Sequence, residues 1–201
     1  MILISLHSTG TDRLTLRFED GSEIRSSLGV VTDLRLFRGK DLSEEEIEEL
    51  KLLSHRSLAR DRAIELASRR QMSEKELRDK MVQKGEDRDT AAYCAAWLAE
   101  NGLLNDEHYA ASVARHYAAR GYGAGRVKTE LSRRGISRDY WEEALEELPA
   151  ENPKIDKFIA SRLSDPADRD QVRKVAAALY RRGFRREEIN AALERFEAEM
   201  R

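Results

Sequence analysis

Apolar residues follow two different periods along the chain. Near the start the period is two: Ile2, Ile4 and Leu6 alternate with other residues, and so do Leu14, Leu16 and Phe18. Alternation over so few residues predicts half-buried strands. Asp20-Gly21 follows the second run as a turn signal, so Ile24 is expected on a short returning strand. Residues 27–36 fit a short helix with a turn at Gly39 as well as they fit a strand. From Ser43 onward only helices are predicted. Ser43 with Glu46, and Ser73 with Glu76, have the spacing of capping boxes. Three stripes recur at i, i+3, i+4, i+7: Ala91, Cys94, Ala95, Leu98; Trp141, Ala144, Leu145, Leu148; and Ile189, Ala192, Leu193, Phe196. Each places one narrow apolar face on a helix. Helix stops are expected at Gly85, Gly102, Gly121, Gly135 and Gly183.

The helical part repeats. Three of those glycines follow a basic residue: Lys84-Gly85, Arg134-Gly135 and Arg182-Gly183. Leu77, Val127 and Val175 stand eight positions before them, and Met81, Leu131 and Leu179 four before. Ala95, Leu145 and Leu193 stand ten after, on the apolar face of the next helix. The glycines are 50 and 48 residues apart, which sets the period. Each period holds three short helices, and a unit this small buries only one small apolar cluster. The expected organisation is an extension over 1–53, with a β-hairpin and the start of a helix, then three-helix units over 54–104, 105–150 and 151–201. The fold class is mainly α: tandem three-helix repeats in an elongated array behind a small β-containing extension.

Composition agrees with thin layers. Charged residues make up 37% of the chain and aromatics only 6%, which leaves little material for one thick core. Lys plus Arg (36) nearly cancels Asp plus Glu (38), yet the charge is uneven. Residues 1–53 carry a net −4, residues 54–140 a net +4, and residues 141–201 a net −2. The concentration is greatest from Arg115 to Arg138. Arg115, Arg120, Arg126, Lys128, Arg133, Arg134 and Arg138 face a single acid, Glu130, for a net of +6. Such a surface attracts phosphates or an acidic protein face, and its effect falls with salt. A single cysteine, Cys94, excludes an internal disulfide and suits a reducing cytoplasm. No stretch approaches the roughly 18–20 apolar residues of a membrane span. The first residues lack the basic and apolar parts of a signal peptide.

A family resemblance rests on ordered motifs. Ser73-Glu74-Lys75-Glu76-Leu77, Lys84-Gly85, and Gly102-Leu103-Leu104-Asn105-Asp106 with Tyr109-Ala110 come first. Gly123-Ala124-Gly125-Arg126-Val127, Glu130-Leu131 and Arg134-Gly135-Ile136 follow. In that order and spacing they resemble the RecX family, from about Leu58 to Phe196, roughly two-thirds of the chain. The resemblance implies a non-enzymatic protein of tandem three-helix repeats, lodged in the groove of the RecA–DNA filament. There it implies inhibition of ATP turnover, strand exchange and the coprotease response, and so a part in recombination, repair and the SOS response. The expected partners are the RecA filament and DNA, met weakly or within the filament, by a cytoplasmic monomer. Asp106, Tyr109, Gly125 and Gly135 are the motif residues. One departure is the run Gly121-Tyr122-Gly123-Ala124-Gly125, which implies a more mobile loop at the start of the second unit.

Other chemistry finds little support in the residues. The glycine run lacks the Lys-Ser/Thr of a phosphate-binding loop and joins two helices. His108 and His116 are eight apart and lack the i, i+4 spacing of a ligand pair. Cys94 lies on an apolar stripe, where a structural thiol is expected. No catalytic residue, metal or cofactor is predicted. Asn105 or Asp106 is expected to cap a helix, with Tyr109 facing the packing side. The competing function is a stand-alone helical DNA-binding module, since three helices with a short turn have that general shape. Against it, the segment from Asp139 to Glu147 is acidic where a recognition helix should be basic.

Overall fold

A computed structural model describes residues 1–149 and 152–200. The boundary expected between residues 150 and 151 lies outside the described residues, as does the terminal Arg201. The chain forms two compact units. One joins Met1–Gln71 with Leu77–Leu104, and the other joins Met72–Glu76 with Asn105–Arg201.

In the first unit, β1 (Leu3–Ser8), β2 (Arg13–Phe18) and β3 (Glu23–Ser27) form an antiparallel sheet in the order β1-β2-β3. The returning strand anticipated at Ile24 pairs with Leu16. One phase differs from expectation. The register shifts between Leu3 and Ser5, and this bulge turns Leu3 into the core while Ile2 and Ile4 stay exposed. Leu3, Leu16 and Phe18 are fully buried against Val30, Val31, Leu36, Leu42, Ile47 and Leu50. The ambiguous segment is a helix, α1 (Leu28–Asp33), because Ser27 Oγ accepts the Val30 N–H and caps it.

The next helix, α2 (Glu44–Arg69), starts at the Ser43/Glu46 capping box and runs 26 residues. It passes through position 53 without a break, since no Gly or Pro interrupts it. Its first half covers the sheet. Ser54 and Ser57 then donate hydrogen bonds of 2.8 Å to Ser26 and Ser27 of β3, so these buried hydroxyls are satisfied. Its second half packs on α4 (Arg88–Glu100), which follows α3 (Glu74–Gln83). The facing surfaces are small: Ala59 and Ala63 on α2, and Ala91, Cys94 and Ala95 on α4, all essentially inaccessible. Arg56 and Arg60 stack over Tyr93 and Trp97 beside this seam.

In the second unit, α5 (Asp106–Ala119), α6 (Ala124–Arg133), a 3-10 turn (Arg138–Tyr140) and α7 (Trp141–Glu146) enclose one apolar cluster. A second cluster lies among α8 (Pro153–Ala160), α9 (Arg169–Arg181) and α10 (Arg186–Glu199). The repeated apolar positions Val127, Leu131, Val175 and Leu179 are buried in these cores. After α6 and α9 the chain turns through Gly135 (φ +69°) and Gly183 (φ +89°), which an L side chain enters only with strain. Ile136 N–H then returns to Leu131 O at 3.1 Å, and Phe184 N–H to Leu179 O at 3.3 Å. Both following side chains, Ile136 and Phe184, are buried over the turn, as in a Schellman ending.

These endings are also joints. Gly123 N–H donates to Arg182 O at 3.0 Å, and Gly125 N–H donates to Gly183 O at 2.9 Å. The C-terminus of α9 therefore abuts the N-terminus of α6, with the helix dipoles head to tail. The C-terminus of α6 is held in a similar way, with Arg134 O accepting Ser73 Oγ–H at 2.5 Å at the start of α3. The glycine run read as a mobile loop is instead this socket. A Cβ on Gly123 would lie 2.5 Å from Gly183 O, so glycine is what permits the two backbones to meet.

Candidate functional site

The basic stretch centres on α6, whose Val127 and Leu131 face inward with no exposure. Its one acid is buried as well: Glu130 is 4% exposed. Arg126, one turn before, reaches Glu130 Oε1 at 3.0 Å. Arg133, three positions after, donates from Nε and Nη2 to Oε2 at 3.0 and 2.9 Å. Burial alone would push the Glu130 carboxyl up. The hydrogen bond and charge of Arg133, a hydrogen bond from Tyr117 and the charge of Arg126 outweigh it, and hold the carboxyl below its usual value. Two of the seven cations are thus partly neutralised on their own helix. Arg126 also lies near the rings of Tyr117 and Tyr122, and Arg182 is likewise near the Tyr122 ring.

The seven cations separate into two classes. Arg134, counted above in the positive stretch, points into the protein. Its side chain is 18% exposed, pairs with Glu76 at 3.3 Å, lies over the Tyr109 ring and donates to the Tyr109 hydroxyl. It is a joint residue, because α6 ends against Ser73 and Glu76 rather than in solvent. Arg115 pairs with Glu147 at 3.0 Å, and Arg120 contacts His116 at 3.4 Å. Lys128 and Arg133 stand exposed on α6, and exposed Arg138 lies over Trp141. These three, with Arg115, Arg120 and Arg126, are the outward charge.

The four motif residues all sit at joints. Asn105 caps α5 by accepting the His108 N–H at 2.7 Å, which frees Asp106 for another task. Asp106 Oδ1 accepts the Glu74 N–H at 3.0 Å and so serves the N-terminus of α3. Tyr109 is buried, with its hydroxyl against Arg134. Gly125 binds Gly183 O, and Gly135 leaves no room for a Cβ beside the Lys75 side chain. Sequence spacing alone had pointed to a local cap for Asp106, because its partner lies 32 residues away.

Several features were missed at the level of sequence. Tyr180, Arg181 and Arg185 share the groove beside α6 with Arg126 and Lys128. The run Arg181-Arg182-Gly183-Phe184-Arg185-Arg186 was the available signal. His55, Glu86 and Asp87 bring ligand-type atoms within 4.8 Å of one another. Each is already engaged: Glu86 with His55 and Arg62, and Asp87 with the Thr90 N–H. Cys94 is inaccessible, and burial, with a smaller push from the charge of Glu86, raises its thiol to about 11. A thiol in that state is a poor nucleophile at neutral pH. No helix among the described residues is long and apolar enough to cross a membrane.

Comparison with known proteins agrees with this architecture. Residues 59–98 match the model for the first three-helix domain of RecX, and residues 105–145 match that for the second. Regulatory protein RecX of Halorhodospira halophila is 32% identical over 136 residues, covering 66% of this chain and 84% of that protein. Regulatory protein RecX of Xanthomonas axonopodis pv. citri is 34% identical over 141 residues, covering 69% and 86%. A crystal structure of regulatory protein RecX shares the fold with a TM-score of 0.82 at 19% identity, over 96% of this chain and 98% of that one. RecX from Lactobacillus salivarius gives 0.63 at 22% identity, over 71% and 97%. Domain matches, relatives and fold agree: the chain belongs to the RecX family of regulatory proteins.

Proposed function

We propose that this chain regulates the RecA recombinase without catalysis, by docking on the filament that RecA forms on DNA. Family membership carries the reading, and the outward cations Arg120, Lys128, Arg133 and Arg138 support it. They offer a positive face to the DNA backbone or to acidic protomer surface. Three-helix units over 54–104, 105–150 and 151–201 would each make weak contacts. Contacts of several units with a repeating lattice add up to tight binding. A protein that bridges adjacent protomers obstructs the motions that ATP turnover and strand exchange require, so inhibition needs no chemistry. The protein would act in the cytoplasm as a monomer.

The stand-alone DNA-binding module is less well supported. The helix that would read the groove, α7, presents Glu142, Glu143 and Glu146 to solvent. A gel shift at physiological salt separates the two readings. Retention by RecA-coated DNA with little shift of bare duplex is the expected result. Equal retention by bare duplex would favour the module.

A further inference from the structure

Beside the joint of α6 and α9 lies an open groove of about 410 Å³, and no carboxylate lines it. Arg126 and Lys128 flank it from α6, Arg181 from α9, and Arg185 from the turn before α10. Lys128, Arg181 and Arg185 are exposed and make no ion pair among the described residues. Two neighbouring acids are committed elsewhere: Glu130 lies between Arg126 and Arg133, and Glu188 accepts the Arg185 N–H at 2.6 Å. Amid these cations stands Tyr180, 71% exposed, the most exposed large apolar side chain among the described residues. An aromatic ring left in solvent costs apolar hydration, and α9 has buried positions nearby for a ring serving only packing.

We propose that this groove binds single-stranded nucleic acid, with the phosphates on Lys128, Arg181 and Arg185 and a base stacked on Tyr180. Cations beside a bare aromatic face are the combination by which single strands are held without sequence preference. A duplex keeps its base faces stacked and offers Tyr180 nothing. An acidic peptide would use the charges but not the ring. The proposal rests on the filament reading only for where such a strand is encountered, and it is tested without recombinase.

The test is fluorescence anisotropy of a labelled twenty-nucleotide oligothymidine with the full-length protein. Tyr180→Ala should weaken binding roughly tenfold or more, and Tyr180→Phe should restore it. The triple variant Lys128→Ala/Arg181→Ala/Arg185→Ala should lower the slope of log affinity against log salt by about 2, for three phosphate contacts on a single strand. Duplex of equal length and polyglutamate should both bind more weakly than oligothymidine. Circular dichroism identifies any variant that has lost its fold, and the wild-type comparison of ligands then still decides. The proposal is overturned if wild type does not bind the oligomer at low salt, if folded Tyr180→Ala binds as wild type does, or if polyglutamate binds equally well. RecA ATPase inhibition by Tyr180→Ala, measured separately, reports on the filament reading, so the two failures are distinguishable.

Discussion

Replacing Gly123 by Ala tests the joint between α9 and α6 with one methyl group. Gly123 has φ −91° and ψ 176°, values that alanine adopts without strain. On the unfolded side the change would stabilise by about 0.4–1 kcal/mol, through lost chain entropy. Any destabilisation must therefore come from contact. The new Cβ would lie 2.5 Å from Gly183 O, 2.6 Å from Gly183 C and 2.7 Å from Phe184 N. All three are backbone atoms, so no rotamer change relieves them, and the joint must open by about 1 Å to restore an ordinary contact. Opening would forfeit the Gly123–Arg182 and Gly125–Gly183 hydrogen bonds. Each is worth about 1 kcal/mol, with a further penalty where a group stays buried and unpaired. The expected net loss is about 2–4 kcal/mol, or a fall in melting temperature of about 8–30 °C for a unit of this size. Two controls separate the causes. Gly102→Ala, at φ +69° with nothing within 4 Å, should show only the left-handed penalty of about 1–2 kcal/mol. Gly125→Ala would meet Gly183 O at 3.1 Å but gains helix propensity, and should stay within about 1 kcal/mol of wild type. Urea unfolding in a Trp97→Phe background leaves Trp141 as the reporter of the second unit, and a Trp141→Phe background leaves Trp97 to read the Gly102 control in the first. A Gly123→Ala midpoint equal to that of wild type would refute the close-approach reasoning.

Further outcomes follow from the same geometry. Arg134→Ala should cost about 2–3 kcal/mol in urea unfolding, because it strips Glu76 and the buried Tyr109 hydroxyl of a partner; a neutral result would return Arg134 to the outward charge. The Glu130 carboxyl titrates below its usual value of about 4.5, so its contribution to stability is complete above that pH and is lost as pH falls through the folded-state value. The stability gap between wild type and Glu130→Gln should therefore be present at pH 7 and shrink in acid, as read by unfolding at a series of pH values. Cys94, with its thiol raised to about 11, should resist a thiol-specific disulfide reagent at pH 8 in the native protein and react on unfolding; prompt native labelling would contradict its burial.

What the sequence disclosed depended on range. Helix periodicity and capping boxes are local, so Ser43/Glu46, Ser73/Glu76 and the buried stripe of α4 were legible residue by residue. The phase of β1 was not, because a bulge between Leu3 and Ser5 depends on pairing with β2. The positive stretch was visible as a count, but its division was hidden. Glu130 shares a helix with Arg126 and Arg133 and was within reach of i, i+3 and i, i+4 reasoning. The burial of Arg134 depends on Glu76, 58 residues away, and could not be seen. The same holds for Asp106, whose acceptor role toward Glu74 exists only once α5 and α3 have met. The glycine run looked like slack in the chain, and its purpose became clear only with Gly183 against it.

The most direct trial of the account is inhibition of RecA ATPase on single-stranded DNA by Lys128→Glu/Arg133→Glu/Arg138→Glu, with native helicity verified. Lys128 and Arg138 carry outward charge and form none of the joints, while Arg133 also holds buried Glu130, so inhibition should fall at least tenfold and the unfolding midpoint should fall only as far as it does in Arg133→Glu alone. Undiminished inhibition by the folded triple variant would contradict docking through this face.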